Sequence, residues 1–292
     1  MLVPNSTLTL ADIRQTNFPT RSLGVLGDPI SHSLSPAMHN AAITTGSAQH
    51  PELKGLNYYR LHIKPDELTE ALNVLKAKGF IGLNLTVPHK IAALKLISSL
   101  SPQAQAAESV NTLTLTTQGW AGDTTDGQGF IEAYQEKSGQ KIADKEVIIL
   151  GAGGAARAVA AACLNAQCKS LFITNRDTKK AEALVAALKD SRAHCGELIS
   201  VGPKAVIINC TTLGLKADDD SPLAEKFLQA GQFIFDTTYG SSQSKLLQIA
   251  QAHGVAHCDG RPMLRWQGAL AFKLWTGITP PAAPMRQAIG EK

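Results

Sequence analysis

Three clusters of polar side chains carry the residue types that could do chemistry. Ser31, His32, Ser33 and Ser35 follow the first apolar segment, and Asn84, Thr86, His89 and Lys90 crowd the end of a later one. Asn111 sits early in the next one, and Asp123 and Asp126 lie in the loop G-D-T-T-D-G. Hydroxyls, amides and one Lys/Asp pair suit a small polyhydroxylated substrate, with the pair able to move a proton. An Arg cluster for phosphate is absent from this set. Read singly, these residues are turn and capping chemistry, and Ser35 before Pro36 is a predicted helix N-cap. Lys90 fits that reading poorly. It stands at the start of a predicted helix, where the dipole disfavours a cation, which argues for a specific task.

A second chemical signature lies in Glu146 to Ala156, E-V-I-I-L-G-A-G-G-A-A. A buried strand runs into a glycine turn and then an alanine-rich helix, and Gly151, Gly153 and Ala156 fit G-x-G-x-x-G/A. The first glycine permits the tight turn, the second lets backbone approach a pyrophosphate, and the small third residue lets helix pack on strand. Open amides at the helix N-terminus then face the phosphates. The next strand, Ser170 to Thr174, ends in Asn175 and Arg176. A basic residue here suits the 2′-phosphate of NADP, whereas an acidic one serves the 2′-hydroxyl of NAD. Arg176, Lys179 and Lys180 favour NADP. Asp177 keeps NAD as the alternative.

These residues need elements to hold them, and strand and helix patterns alternate along the chain. Leu23 to Gly27, Asn57 to Ile63, Phe80 to Val87 and Val110 to Thr116 read as strands. Pro36 to Thr45, Pro65 to Lys78 and Lys90 to Ser98 read as helices, with Leu68, Ala71, Leu72 and Leu75 on one face of the second and Gly79 as its stop. A second α/β unit begins near Asp126, with strands Val147 to Leu150, Ser170 to Thr174, Ala205 to Asn209, Phe233 to Asp236 and Val255 to Cys258. A helix from about Met263 to Trp275 and a last short helix follow. The expected fold is two α/β domains: an N-terminal substrate domain with a mainly parallel sheet, and a Rossmann-type domain. Residues 1–125, with 1–20 as an extension, form the first, completed by helices in 263–292. Residues 126–262 form the second. Parallel sheets bind ligands at the carboxyl ends of their strands, so the active site is expected in the cleft between the domains.

The 292 residues exceed one typical domain, and 44% hydrophobic with 18% charged residues is a globular composition. The formal charge of +4 is spread, with no long basic run, so nucleic acid is not an expected partner. Apolar runs are too short for a membrane span, and the N-terminus lacks the pattern of a signal peptide. The five cysteines include no C-x-x-C and read as reduced thiols of a cytoplasmic protein. The eight histidines show no metal-ligand spacing, and no metal is expected. A homodimer stays open.

The order of motifs resembles that of the shikimate dehydrogenases. G-D-P-I-S-H-S-L-S-P-A-M-H-N (Gly27 to Asn40), N-L-T-V-P-H-K (Asn84 to Lys90), V-N-T-L (Val110 to Leu113), D-T-T-D-G (Asp123 to Gly127), G-A-G-G-A (Gly151 to Ala155), N-R (Asn175, Arg176) and D-G-R-P-M-L-R-W-Q-G-A (Asp259 to Ala269) carry it. The resemblance implies reversible, NADPH-dependent reduction of 3-dehydroshikimate to shikimate, a step of chorismate and aromatic amino-acid biosynthesis. It implies that Ser33 and Ser35, with Tyr239, hold the substrate carboxylate, and that Thr86, Asn111, Asp126 and Gln267 bind ring hydroxyls. Lys90 would be the catalytic acid/base, paired with Asp126. Gly151, Ala152, Gly153, Gly154 and Ala155 would cradle the pyrophosphate, and Asn175, Arg176 and Lys180 would meet the 2′-phosphate. Thr211, Leu213, Gly260 and Met263 would line the nicotinamide end. The chain departs from the family pattern at Thr124, where asparagine is usual, at Glu108-Ser109 before Val110-Asn111, where G-A is more usual, and at Ser241 and Ser244, where proline and threonine are common. The rival readings are a quinate-preferring or NAD-using relative, and a catalytically silent NADP-binding paralogue. A glutamyl-tRNA reductase shares the glycine motif but needs a nucleophilic cysteine in the first domain, and none precedes Cys163.

Overall fold

The computed structural model describes residues 6–240 and 242–291. The departure at Ser241, the first five residues of the extension and Lys292 lie outside the described residues. The chain divides into two compact units, Met1–Thr125 with Gln267–Lys292, and Asp126–Trp266. The second crossing falls a few residues later than the helix pattern suggests, because Met263 is buried in the core of the second unit.

The first unit contains β1 (Thr7–Thr9), α1 (Leu10–Gln15), β2 (Ser22–Gly27), α2 (Ser35–Gly46), β3 (Asn57–His62), α3 (Leu68–Ala77) and β4 (Phe80–Leu85). It continues through α4 (His89–Ala92), β5 (Ser99–Leu100), α5 (Pro102–Ala107), β6 (Thr112–Thr116) and β7 (Gly119–Asp123). Its seven strands are ordered β1-β3-β2-β4-β6-β7-β5. β2 runs parallel to both β3 and β4, and β6 runs antiparallel to both β4 and β7. Every residue of β2 is buried, as a central strand covered on both faces requires. On α3, Leu68, Ala71, Leu72 and Leu75 form the buried face, and Gly79 at φ +82 stops the turn that follows.

Three expectations are corrected here. From Ser6 onward the N-terminal extension is part of the fold. β1 pairs in parallel with β3, Thr9 and Asp12 form a capping box at the start of α1, and Leu8, Leu10 and Ile13 are buried. The predicted helix over Lys90 to Ser98 is shorter: α4 gives way to a 3₁₀ turn at Ala93–Lys95, and Ser99–Leu100 then pair with β7. The edge of β7 captures that segment, a tertiary pairing that outweighs local helix preference. Ser35 is not an N-cap. It is the first residue of α2, whose cap, Leu34, offers no side-chain bond, and the Ser35 amide donates instead to Ser33 Oγ at 3.3 Å.

The second unit contains α6 (Asp126–Ser138), β8 (Glu146–Leu150), α7 (Gly154–Asn165), β9 (Ser170–Thr174), α8 (Thr178–Leu188) and β10 (Ala193–Cys195). It continues through β11 (Val206–Asn209), β12 (Phe233–Asp236), α9 (Lys245–Ala252), β13 (Ala256–Cys258) and the start of α10 (Arg261–Thr276). α11 (Ala282–Ile289) follows in the first unit. The six strands are all parallel in the order β10-β9-β8-β11-β12-β13. Counted from β8 this is 3-2-1-4-5-6, the dinucleotide-binding topology, with its switch point between β8 and β11. No helix among the described residues is long and apolar enough to cross a membrane.

His39 of α2 lies wholly buried, stacked on Tyr58 with ring centroids 4.2 Å apart and flanked by Phe272 and Trp275. Burial lowers its pKa from 6.5 to about 3, so the folded protein holds it neutral. Below pH 6.5 the unfolded chain takes up a proton that the folded one refuses. Stability from this residue is therefore complete above pH 6.5 and lost as pH falls toward 3. In urea melts, the stability of wild type relative to His39→Leu should fall by about 3 kcal/mol from pH 7 to pH 4.5, at about 1.4 kcal/mol per unit. A difference that does not move with pH would show that burial of this imidazole is not felt.

Candidate active site

In the first unit the topology gathers the polar clusters at one edge. β2 and β4 end there, and β6, being antiparallel to β4, begins there. Ser33 and Ser35 follow β2, Thr86 and Lys90 follow β4, and Asn111 immediately precedes β6. Backbone bonds lock these pieces together. Thr86 N donates to Leu26 O at 2.9 Å, Asp28 N to Val87 O at 3.0 Å, and His89 N to Thr86 O at 2.8 Å. Val110 N donates to Lys90 O at 2.9 Å, which fixes the backbone of Lys90 beside that of Asn111. A Cβ on Gly27 would collide with the Thr86 methyl, so glycine is required where β2 meets this turn.

Asn111, 2% exposed, is the hub of a buried network. Its Nδ2 donates to Gln267 Oε1 at 3.1 Å and to Thr125 Oγ1 at 3.0 Å. Its Oδ1 accepts from Thr125 N at 2.8 Å and from Thr112 Oγ1 at 3.0 Å. The network extends through Asn84, whose Nδ2 donates to Asn111 O and Thr112 Oγ1 and whose Oδ1 accepts from Tyr58 Oη at 2.7 Å. Such a web sets which way an amide faces, because every alternative leaves buried polar atoms unpaired. Asn111 and Gln267, far apart in sequence, are thus brought into direct contact. Thr125 and Thr112 are the partners that residue-by-residue reading missed. Thr125 stands inside the D-T-T-D-G loop, and its spacing offered the only signal.

Lys90 is half-buried and is the second residue of α4. Asp126, 4% exposed, opens α6 and belongs to the other unit. Tyr239 lies in the same unit as Asp126, and burial, opposed by Arg261 and helped by Asp126, pushes its phenol up to about 12. It is therefore a hydrogen-bond donor at any working pH.

In the second unit the glycine turn has the geometry its sequence demands. Gly151 adopts φ +113, where an added Cβ would stand 3.0 Å from Cys210 O, and its amide donates to Thr174 O at 2.8 Å. Gly153 caps α7 and is exposed, and nothing lies within 4 Å of where its Cβ would be, so the start of the helix is open on that side. Ala152 is buried beneath the turn, and Ala156 at 0% exposure packs α7 on the sheet. A diphosphate fits this cradle. At the end of β9, Asn175 Nδ2 donates to Asp177 O at 2.8 Å, shaping the turn that exposes Arg176. Lys180 Nζ lies 3.9 Å from Asp177 Oδ2, so the acidic residue already faces a cation.

At the ends of β11 and β12 a second buried web holds Thr211 and Leu213. Asn209 Nδ2 donates to Leu213 O and to Asp236 Oδ1, both at 2.9 Å, while its Oδ1 accepts from Thr211 Oγ1 at 2.7 Å. Asp236 also accepts from Thr238 Oγ1 at 2.8 Å and Ser244 Oγ at 2.5 Å. Burial raises its pKa, against the pull of these donors. Ser244, a departure from the family pattern, thus supplies the hydroxyl that its more usual threonine would supply, and caps α9 as well. Gly260 approaches Thr237 so closely that a Cβ would strike its carbonyl, and Met263 is buried nearby in the sequence. Another departure leaves a mark: Glu108 holds the left-handed C-cap of α5 at φ 44, a conformation that glycine adopts without strain.

Comparison with known proteins accords with this construction. Residues 25–113 match the family model described as shikimate dehydrogenase substrate binding domain, 133–212 that of shikimate/quinate 5-dehydrogenase, and 260–289 that of shikimate 5′-dehydrogenase C-terminal domain. A curated relative from Moorella thermoacetica, named shikimate dehydrogenase (NADP(+)), is 37% identical over 287 residues, 95% of this chain and 95% of its own. The shikimate 5-dehydrogenase of Thermus thermophilus, solved in complex with NADP(H) and shikimate, superposes with TM-score 0.81 at 34% identity, covering 92% of this chain and 98% of that one. A quinate dehydrogenase from Corynebacterium glutamicum, in complex with NAD, superposes with TM-score 0.80 at 28% identity, over 93% of this chain and 99% of that one. With a hydroxyl- and amide-lined sheet edge in one unit, a 3-2-1-4-5-6 sheet in the other, and relatives of this identity over nearly its whole length, the chain belongs to the shikimate dehydrogenase family.

Proposed function

We propose that this chain is an NADP-dependent shikimate dehydrogenase that reversibly reduces 3-dehydroshikimate to shikimate. The observation that carries the reading is the bond from Asn111 to Gln267 at the edge of the seven-stranded sheet, on whose following segments Ser33, Ser35, Thr86 and Lys90 also stand. Residues 1–125 with the C-terminal helices bind substrate, and the second unit binds NADP. NADP supplies the hydride acceptor in one direction and, reduced, the donor in the other. Gly151 to Ala155 hold its pyrophosphate, Asn175, Arg176 and Lys180 its 2′-phosphate, and Thr211, Leu213, Gly260 and Met263 the nicotinamide end.

The chain's own groups bind and move one proton. Ser33, Ser35 and Tyr239 donate to the substrate carboxylate. Thr86, Asn111, Asp126 and Gln267 bind the ring hydroxyls. Lys90 gives a proton to the carbonyl oxygen during reduction and takes it back during oxidation, with Asp126 orienting it. The five cysteines are free, in keeping with a cytoplasmic enzyme.

Substrate choice tests this reading. Quinate carries its carboxylate on a saturated carbon with an added hydroxyl, which needs room and a partner, and a buried hydroxyl left unpaired costs about 1–3 kcal/mol. Shikimate should exceed quinate in kcat/KM by roughly 10-fold or more in steady-state assays with NADP. Equal or better use of quinate would overturn the substrate and leave the dehydrogenase standing.

A further inference from the structure

We propose that Arg60 is a positioning residue for the substrate carboxylate, holding the Ser33 loop from behind and setting a positive charge there. The inference rests on the assignment of Ser33 to carboxylate binding. Arg60 lies on β3, directly opposite Val25 of β2. Its neighbours Tyr59 and Leu61 face the core at 5% and 0% exposure, so Arg60 and His62 share the other face of the strand. Both reach the loop that follows β2. Arg60 Nη2 donates to Ser33 O at 2.8 Å, and His62 Nε2 meets Asp28 Oδ1 at 2.8 Å.

The loop is thereby clamped at both ends of its turn. Ser33 N donates to Ile30 O at 3.0 Å, closing the turn, and Ser33 Oγ accepts from Ser35 N. That acceptance leaves the Ser33 O–H to donate. The guanidinium occupies the Ser33 carbonyl, which would otherwise be an acceptor that repels a carboxylate. An arginine bond to a carbonyl is charge-assisted and geometrically fixed, so it orients the peptide more firmly than a neutral donor. The cation also lowers the cost of bringing an anion to the hydroxyl side of the same peptide. The result is carboxylate recognition by small hydroxyls with the charge held one layer back.

The test is steady-state kinetics of the full chain with shikimate and with its methyl ester, for wild type, Arg60→Met, Arg60→Lys, Ser33→Ala and the double variant Ser33→Ala/Arg60→Met. Arg60→Met should raise KM for shikimate about 10-fold or more, as for loss of a charge-assisted bond, with kcat within about 2-fold and KM for NADP unchanged. The preference for acid over ester should shrink, because the ester lacks the charge. Arg60→Lys should show a smaller rise of several-fold, since a point-charge donor replaces the fork. The double variant should cost little more than the worse single one, the mark of residues acting on one contact. Melting temperatures are recorded in parallel, and if Arg60→Met does not fold, the Arg60→Lys KM and acid/ester ratio decide. An unchanged KM, or acid and ester rates falling together, overturns the inference while wild-type turnover keeps the dehydrogenase reading. Failure of wild type to oxidise shikimate removes both.

Discussion

Lys90→Ala should cut turnover by roughly 10²-fold or more while leaving NADP affinity nearly unchanged. The magnitude is that expected for losing a positioned general acid/base. The structure gives reasons to expect little collateral damage. Lys90 is half-buried, and its anchoring bond, from Val110 N to Lys90 O at 2.9 Å, is made by backbone and survives truncation. Alanine suits a helical position, so α4 keeps its turn. The glycine cradle belongs to the other unit, so a fluorescence titration with NADP should give a dissociation constant close to wild type. A variant that turns over at near-normal rate would remove Lys90 from the proton transfer and shift attention to Asp126.

Arg176→Ala should weaken NADP binding by about 1.5–3 kcal/mol, a factor of roughly ten to one hundred and fifty, the value of a hydrogen bond to a charged group. NAD binding should barely respond, because NAD lacks the phosphate. The residue is exposed on the turn after β9, so truncation removes no packing. The rival ligand for this strand end, Asp177, lies 3.9 Å from Lys180, an arrangement that pulls its carboxylate toward a cation. Paired titrations with the two cofactors separate these roles. Wild-type preference for NAD would mean that Asp177 engages the 2′-hydroxyl and that Arg176 is a surface charge.

Much of this was legible in the residues because local and tertiary demands agree there. β8 contains a four-residue apolar run between Glu146 and Gly151, and only glycine fits φ +113 next to Cys210. α3 buries the apolar face its periodicity displays. Legibility fails where an element exists only because a partner is present. β1 and β10 have three residues each and β5 has two, too few for any period to register, and each is fixed by the strand it pairs with. β7 contains two glycines in five residues and reads as loop until β6 is laid beside it. At the site, single residues announced their chemistry but their partners did not. Thr125 and Thr112 look like ordinary turn and strand residues until Asn111 is found bonded to them. Arg60 is one basic residue in a strand until its guanidinium is seen on the Ser33 carbonyl. The Ser244 departure keeps a hydroxyl, and its bond to Asp236 at 2.5 Å becomes visible only in the fold.

The central claim is tested most directly by mixing the purified chain with 3-dehydroshikimate and NADPH and following both NADPH absorbance and the product acid by chromatography. The account predicts stoichiometric NADPH consumption with appearance of shikimate, reversal when shikimate and NADP are supplied, and a much slower reaction with NADH. NADPH bound tightly but never consumed, with no shikimate formed at any enzyme concentration, would contradict it and identify the chain as a silent NADP-binding member of its family.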